Sequence, residues 1–440
     1  MLESKTMNLS KGKYFEILIV LIIFIVSLIL FTPGDFGEKF GDETWKPWKA
    51  SKLLLDTGKF ITHTLGPLYY TLLTLLSPLD YKNSIISEYF ITHIFCLYAF
   101  YKLLGLKNLK LLALSFIIVW IPFIAFIQSP KYILAIGFLC LHLSKMNDQR
   151  IFDRWFPPYL LCSILCNWGY IFFWCGHIFG KIITNLNARK INFKLDKSYY
   201  ALISLILIFL FAFTFINKLE RPYNNHFVTT YNHAPIPLTS PFQMAFFMAG
   251  NSKYSEKKFE ESKLLEADWY FTHKDVFKNC ESVSCAIIKF PNTVLLNLRS
   301  NIGYLCRSLS SNFFSFMIFE FKFPLFLVFF IISILISILG FVGLMFESKN
   351  RINLPLLSSI VLGAGGYTIA LALTFGNYRY GVALMPVSML LITFSSIGAI
   401  NLINKYSFYK KKIEINKSNS SSVLLFLFLF VLFFNISFQK

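Results

Sequence analysis

The sequence predicts an all-α polytopic membrane protein, and three observations carry that expectation. Only 15% of the 440 residues are charged against 55% hydrophobic, where a soluble domain carries about 25% charged residues. The apolar residues gather in blocks such as 15–31, 111–127 and 199–216, each close to the ~20 residues that cross a hydrocarbon core as a helix. Lysine and arginine stand beside the ends of these blocks, as the positive-inside rule requires. Backbone polar groups in lipid must be satisfied within the segment, so the blocks are expected to be helices. A closed β-barrel would show short alternating segments instead, and none are evident. The formal net charge of +19 does not imply a nucleic-acid surface, because no basic domain stands apart from the spans.

The charge clusters orient the chain. Lys5, Lys11 and Lys13 precede block 15–31, so the amino terminus is expected inside and the first span exits. Thr32, Pro33, Gly34 and Asp35 follow it without a small-x-small cleavage site, which favours an uncleaved span over a signal peptide. Residues 32–84 then form a first external loop. Block 85–101 returns to Lys102, Lys107 and Lys110, and 111–128 goes out again. Ser129-Pro130 breaks the helix. Residues 132–143 return as a short span towards Lys145, Arg150 and Arg154. Block 156–183 begins and ends beside inside-type charge. A single crossing would violate the charge rule, whereas a hairpin turning near Asn167-Trp168-Gly169 obeys it.

Block 199–216 exits to a loop of roughly a hundred residues, 217–321, far above ordinary loop lengths. Within it, residues 255–269 are charged and read as an amphipathic surface helix. Blocks 324–346, 354–374 and 382–402 follow, with Gly363, Gly365 and Gly366 permitting close helix contact. An Asn- and Ser-rich linker precedes the final block at 423–436. The total is about eleven spans. The chain divides into an N-terminal membrane module (1–216), the large external loop (217–321) and C-terminal membrane helices (322–440). The loops holding Asp42, Cys285 and Arg379 are expected outside, and Lys107 and Lys411 inside. Cysteines engineered at positions 42 and 379 should react with an impermeant thiol reagent in intact cells; labelling at position 107 would overturn the topology.

Five of the eight cysteines, Cys96, Cys140, Cys162, Cys166 and Cys175, fall in apolar blocks and read as core residues. Cys280, Cys285 and Cys306 share the large loop, where an oxidising exterior permits a bridge, most simply Cys280 with Cys285. No Cys-x-x-Cys pairs or histidine clusters indicate a zinc site.

Chemistry is expected in the first loop. Asp42-Glu43 follows the first span closely, and an aspartate of ordinary pKa, about 3.9, is ionised at neutral pH and competent to accept a proton. Taken alone, such a pair is more often simply solvated. Its setting changes the weighting. Asp42-Glu43 is followed by Gly58 and then by Pro67-Leu68-Tyr69-Tyr70. Over residues 41–76 this order resembles the first loop of GT-C glycosyltransferases that use polyprenyl-phosphate sugars, closest to the protein O-mannosyltransferase and aminoarabinose transferase group. Far along the chain, Asn377-Tyr378-Arg379-Tyr380 precedes Pro386, similar to the Arg-Tyr and Pro near the late spans of that family. Arg379 otherwise reads as a headgroup anchor between interfacial tyrosines.

The resemblance implies a GT-C-like bundle in the inner membrane, with its active site facing outward. It implies Asp42 as general base and Glu43 beside it, positioning acceptor or base. His63, Tyr69 and Tyr70 would line the acceptor or donor pocket, and Arg379 with Tyr380 would hold the lipid phosphate. Relatives often carry Lys-Pro-Pro or His-Pro-Pro before the Leu-Tyr; here Leu65-Gly66-Pro67 stands there. Lys131 is the expected substitute for the missing lysine, with Arg299 and Arg307 as further candidates. No metal is expected to be obligatory, and a divalent ion is optional. The expected partners are a polyprenyl-phosphate-linked sugar, an acceptor that is a glycan, lipid or protein, and membrane lipid, with no nucleic acid. Two other classes stay open. An O-antigen polymerase or ligase would rely on Arg299 and Arg307 in the large loop. A transporter or lipid flippase would show repeats and intramembrane charge, and the spans read as nearly free of charge.

Overall fold

The computed structural model describes residues 48, 51–52, 55–56, 67–104, 130–145, 154–187, 287–313, 323–348, 354–373 and 381–406. Among the described residues all regular structure is helical. The principal helices are α1 (Pro67–Leu76), α2 (Tyr81–Leu104), α3 (Pro130–Ser144), α4 (Pro158–Cys166), α5 (Ile171–Asn187), α6 (Pro291–Phe313), α7 (Phe323–Ser348), α8 (Leu354–Leu373) and α9 (Met385–Tyr406). Short 3-10 turns at Trp168–Tyr170 and Val382–Leu384 precede α5 and α9. Among the described residues three segments are long and apolar enough to cross a membrane: Tyr81–Leu103, Leu327–Phe346 and Pro355–Ala372. On α7, Leu327, Val328, Ile331, Ile334, Leu335 and Ile338 are exposed, the surface a lipid-facing helix presents.

Local chemistry sets the helix ends. Pro67 opens α1, where its missing N–H costs nothing. The Ser77 hydroxyl and amide both donate to Thr74 O, at 2.7 and 3.2 Å, and close it. Asp80 caps α2: its Oδ1 accepts from the Asn83 amide at 3.1 Å, and its carbonyl accepts from Ser84 at 2.9 Å. Pro157 and Pro158 start α4. Asn167 ends it in extended conformation, φ −145° and ψ 107°. The Asn167 side chain then accepts from the Gly169 amide at 3.1 Å, and its carbonyl from Tyr170 at 3.1 Å, so the chain reverses.

The expected hairpin is present. The Trp174 indole donates to Trp155 O at 3.0 Å, and His177 Nε2 donates to Arg154 O at 2.9 Å. Phe156 stacks on Trp174 with centroids 5.2 Å apart. The descending leg α4 is therefore returned alongside by α5. Nine residues of helix rise about 14 Å, roughly half a hydrocarbon core.

Small residues let the helices touch. The Ser358 hydroxyl donates to Gly176 O and the Ser359 hydroxyl to Phe173 O, both at 2.6 Å. A Cβ on Gly363 would strike Phe173, one on Gly366 would strike Phe172, and one on Gly169 would strike Tyr367. Position numbers fall along α5 as they rise along α8, so the two run antiparallel with their backbones in contact, as small-residue seams allow. The glycines at 363 and 366 thus act as the sequence suggested; Gly365 faces open space. Helices α7 and α9 cross equally closely at Gly340, Gly343 and Gly398.

Two expectations need correction. Residues 217–321 read as a loop, yet 291–313 form the 23-residue α6. Leu305, Ser310 and Asn312 of α6 are buried, and Leu298 and Leu309 pack on the core. The spans also carry more charge than hydropathy suggested: Glu88 of α2 is wholly buried and Lys181 of α5 nearly so. The expected spans 15–31, 111–128, 199–216 and 423–436, and the surface helix 255–269, lie outside the described residues.

Candidate functional site

The segment Pro67-Leu68-Tyr69-Tyr70 is the first turn of α1. Helix α1 doubles back onto α2 through the Ser77–Asp80 turn, which brings Tyr69 to Glu88, about two turns into α2. Tyr69 is 1% exposed and Glu88 0%. The Tyr69 hydroxyl lies near the Glu88 carboxyl, and neither Glu88 oxygen meets a hydrogen-bond partner among the described residues. Ser84, Glu88 and Thr92 recur every fourth residue and are all buried, so α2 carries a polar stripe inside the bundle. Thr92 satisfies itself on Glu88 O at 2.8 Å. His93, stacked on Tyr89 at 5.6 Å, places Nδ1 2.6 Å from Tyr89 O. Nearby, Trp48 is buried and meets Tyr81 edge-on at 5.3 Å, with Lys52 Nζ 5.2 Å over its ring. The chain leaving the first loop is thus anchored at the start of α2.

A second locus lies at one end of the bundle. The Ser163 hydroxyl donates to Ala135 O at 2.9 Å, tying the last turn of α4 to the first half of α3. The Tyr170 hydroxyl donates to Ala383 O at 2.7 Å, and the ring stacks on Tyr367 near the end of α8. Asn312 Nδ2 donates to Gly381 O at 3.0 Å. The hairpin tip, the start of α3, the ends of α6 and α8 and the Val382–Leu384 turn therefore meet. Lys131 belongs to the first turn of α3 and so to this end. Gly381, next in chain to Tyr380, is here as well.

The opposite half of the hairpin holds a buried basic cluster. His142 of α3 and His177 of α5 are wholly buried with ring centroids 6.1 Å apart. Lys181 stands 5.0 Å over the Trp155 ring. Isolated histidines in apolar blocks gave no signal for this meeting.

Of the expected site residues, Tyr69 is buried in α1, Tyr70 lies in the same turn, and Lys131 is in α3. Asp42, Glu43, His63, Arg379 and Tyr380 lie outside the described residues, as do Cys280 and Cys285. Arg299 is exposed on α6, and Arg307 belongs to the same helix. Cys306 of α6 is a free thiol, and burial pushes its pKa up, so it is held as thiol rather than thiolate. Among the described residues no three His, Cys, Asp or Glu side chains form a metal set. Glu88 was the residue sequence reasoning missed. The available signal was an acid within the block 85–101, which in a membrane helix points to function. No family model, curated protein or solved structure matches the chain.

Proposed function

We propose that this chain is a GT-C-type glycosyltransferase that moves a sugar from a polyprenyl-phosphate donor to an acceptor hydroxyl at the outer face of the inner membrane. One observation carries the reading. The Pro67–Tyr70 stretch, on which the resemblance depends, is built into the bundle through the buried Tyr69, as a scaffolded reaction loop would be and a solvated one would not. Trp48 adds support, because six residues separate it from Asp42, a tether of at most ~22 Å. In the reaction the acceptor oxygen attacks the anomeric carbon and the bond from that carbon to the phosphate oxygen breaks. The electron pair leaves with the polyprenyl phosphate, and the acceptor proton passes to the Asp42 carboxylate. A single displacement inverts the anomeric centre. Arg379 neutralises the departing phosphate.

The test is turnover. Purified protein in nanodiscs, given labelled polyprenyl-phosphate hexoses and pentoses with envelope extract as acceptor, should release sugar-free polyprenyl phosphate and label the acceptor. Failure to consume any donor in such a panel would remove the reading. Arg379→Ala should weaken donor binding by about 1.5–3 kcal/mol, and Arg379→Lys should rescue it only in part, since lysine cannot make the forked contact. Unchanged donor binding by calorimetry would return Arg379 to the role of headgroup anchor. The second reading, an O-antigen polymerase or ligase, draws on α6, which holds Arg299 exposed on a helix docked to the bundle.

A further inference from the structure

The base of the hairpin gathers positive charge from three elements. His142, in the last turn of α3, and His177 of α5 are buried, with ring centroids 6.1 Å apart. His177 Nε2 donates to the Arg154 carbonyl at 2.9 Å, which ties the segment leading into α4 to α5. Lys181 follows His177 by one turn and is 6% exposed, with Nζ 5.0 Å over the Trp155 ring. Lys145 stands just beyond α3, its amide donating to the His142 carbonyl at 3.1 Å, and is exposed. Both α3 and α5 run from the tip of the hairpin towards its base. Lys145 and Lys181, each about one turn past its histidine, therefore lie at nearly the same height. Residues 130–145 and 154–187 contain no Asp or Glu.

A lysine near a helix end ordinarily carries its ammonium out to water. Lys181 instead folds over an indole and keeps its charge at the base of the hairpin. Trp155 and Arg154 are half-buried, and an indole in that position settles at headgroup level in a bilayer. On the adjoining face of α5, Phe179, Ile182 and Leu186 are exposed, an apolar strip on which acyl chains can lie. Lys145 and Arg154 mark this end of the bundle as inside by the charge rule. Basic sites between membrane helices on that side take anionic lipid head groups. We propose that Lys145, Arg154 and Lys181, with Trp155, form an inner-leaflet site for the phosphate of an anionic lipid. The phosphate oxygens accept from ammonium and guanidinium together, while the chains stay on α5. The site stands at the opposite end of the bundle from the proposed sugar transfer, so its ligand is a resident lipid and not the donor.

The probe is phosphatidylglycerol set against phosphatidylcholine, in equal amounts in nanodiscs holding the full-length protein. The protein is extracted into mild detergent, and the lipids that stay bound are counted by native mass spectrometry. The parent chain should retain one phosphatidylglycerol in preference to phosphatidylcholine. Lys181→Gln and Lys145→Gln should each lower that preference about fivefold, the scale of one basic side chain at a membrane surface. Lys145 is exposed, so its replacement leaves the packing intact and keeps the test decisive should the Lys181 variant fold poorly. Lys102 is the control. It lies in the last turn of α2, exposed, with Nζ 5.3 Å over Tyr98, and the charge rule puts it on the same side of the membrane. Lys102→Gln should leave the preference unchanged. An equal fall in all three variants would mean diffuse attraction to a basic surface and would overturn the site. A preference that survives both Lys145→Gln and Lys181→Gln overturns it as well. Displacement of the lipid by inorganic phosphate would assign the cluster to a soluble anion, which also ends the proposal.

Discussion

Asp42→Asn is expected to lose at least about two orders of magnitude in sugar transfer. Asparagine preserves the size of the side chain and removes its basicity, and general-base catalysis contributes typically ~10²–10⁴-fold. Protein level should hold, because substitution of a loop carboxylate rarely costs packing. Donor binding should hold as well, since the lost group acts on the acceptor hydroxyl. The measurement is glycan transfer in a deletion strain complemented with each variant at matched expression. Arg299→Ala and Arg307→Ala supply the contrast. Under the glycosyltransferase reading they are mild; under the polymerase reading they are crippling. Full transfer by Asp42→Asn beside dead Arg299 and Arg307 variants would exchange the two readings.

Gly398→Ala should unfold or disperse much of the protein in detergent, although it adds one methyl group. A Cβ there would overlap Leu339 O and lie 2.8 Å from the Gly343 amide nitrogen. These are backbone atoms of α7, so no rotamer change relieves the contact and the helices must separate. Overpacking of this kind costs about 1–3 kcal/mol, and here it spreads along the α7–α9 seam. Gly365→Ala is the control. It sits in α8 with nothing within 4 Å of its new Cβ, and the better helix propensity of alanine is worth up to ~1 kcal/mol. Thermal scans followed by size exclusion should show Gly398→Ala well below the parent and Gly365→Ala at or above it. Equal behaviour of the two would mean that the α7–α9 crossing is misassigned.

Periodicity and charge made much of the fold legible, and local chemistry explains what they missed. Hydropathy begins the second span at Ile85, whereas α2 begins at Tyr81. Its first turn, Lys82-Asn83-Ser84, is polar, and Asp80 caps it. The hairpin could be read because Pro157-Pro158, Asn167 and Gly169 punctuate an apolar block with like charge at both ends. Helix α6 could not be read from hydropathy, because Asn, Ser and Arg recur along it between the leucines. Its signal lay in the spacing of Leu298, Leu305, Leu309 and Asn312, a core-facing line at helical intervals. At the candidate site, Tyr69 was legible through its motif, but its burial was not. A tyrosine near a loop reads equally well as pocket lining, and only the return of α1 onto α2 brings it to Glu88.

The hairpin also constrains the order in which this chain can be assembled. Leg α4 has nine residues, too few to be recognised as a crossing when it emerges from the ribosome. The seam that receives its partner α5 is built from Ser358 and Ser359, 182 and 186 residues downstream. At elongation rates of ~5–20 residues per second, the hairpin waits on the order of ten seconds or more for its seat. During that wait, Tyr170 and the Asn167 turn have neither Ala383 nor Tyr367 beside them. Irregular backbone is not tolerated against lipid, so the nascent hairpin must stay at the interface or under the insertion machinery until α8 arrives. Chains arrested before residue 354 should therefore leave an engineered cysteine at position 173, where Phe173 packs on Gly363, open to a water-soluble thiol reagent. Chains arrested beyond residue 406 should protect it.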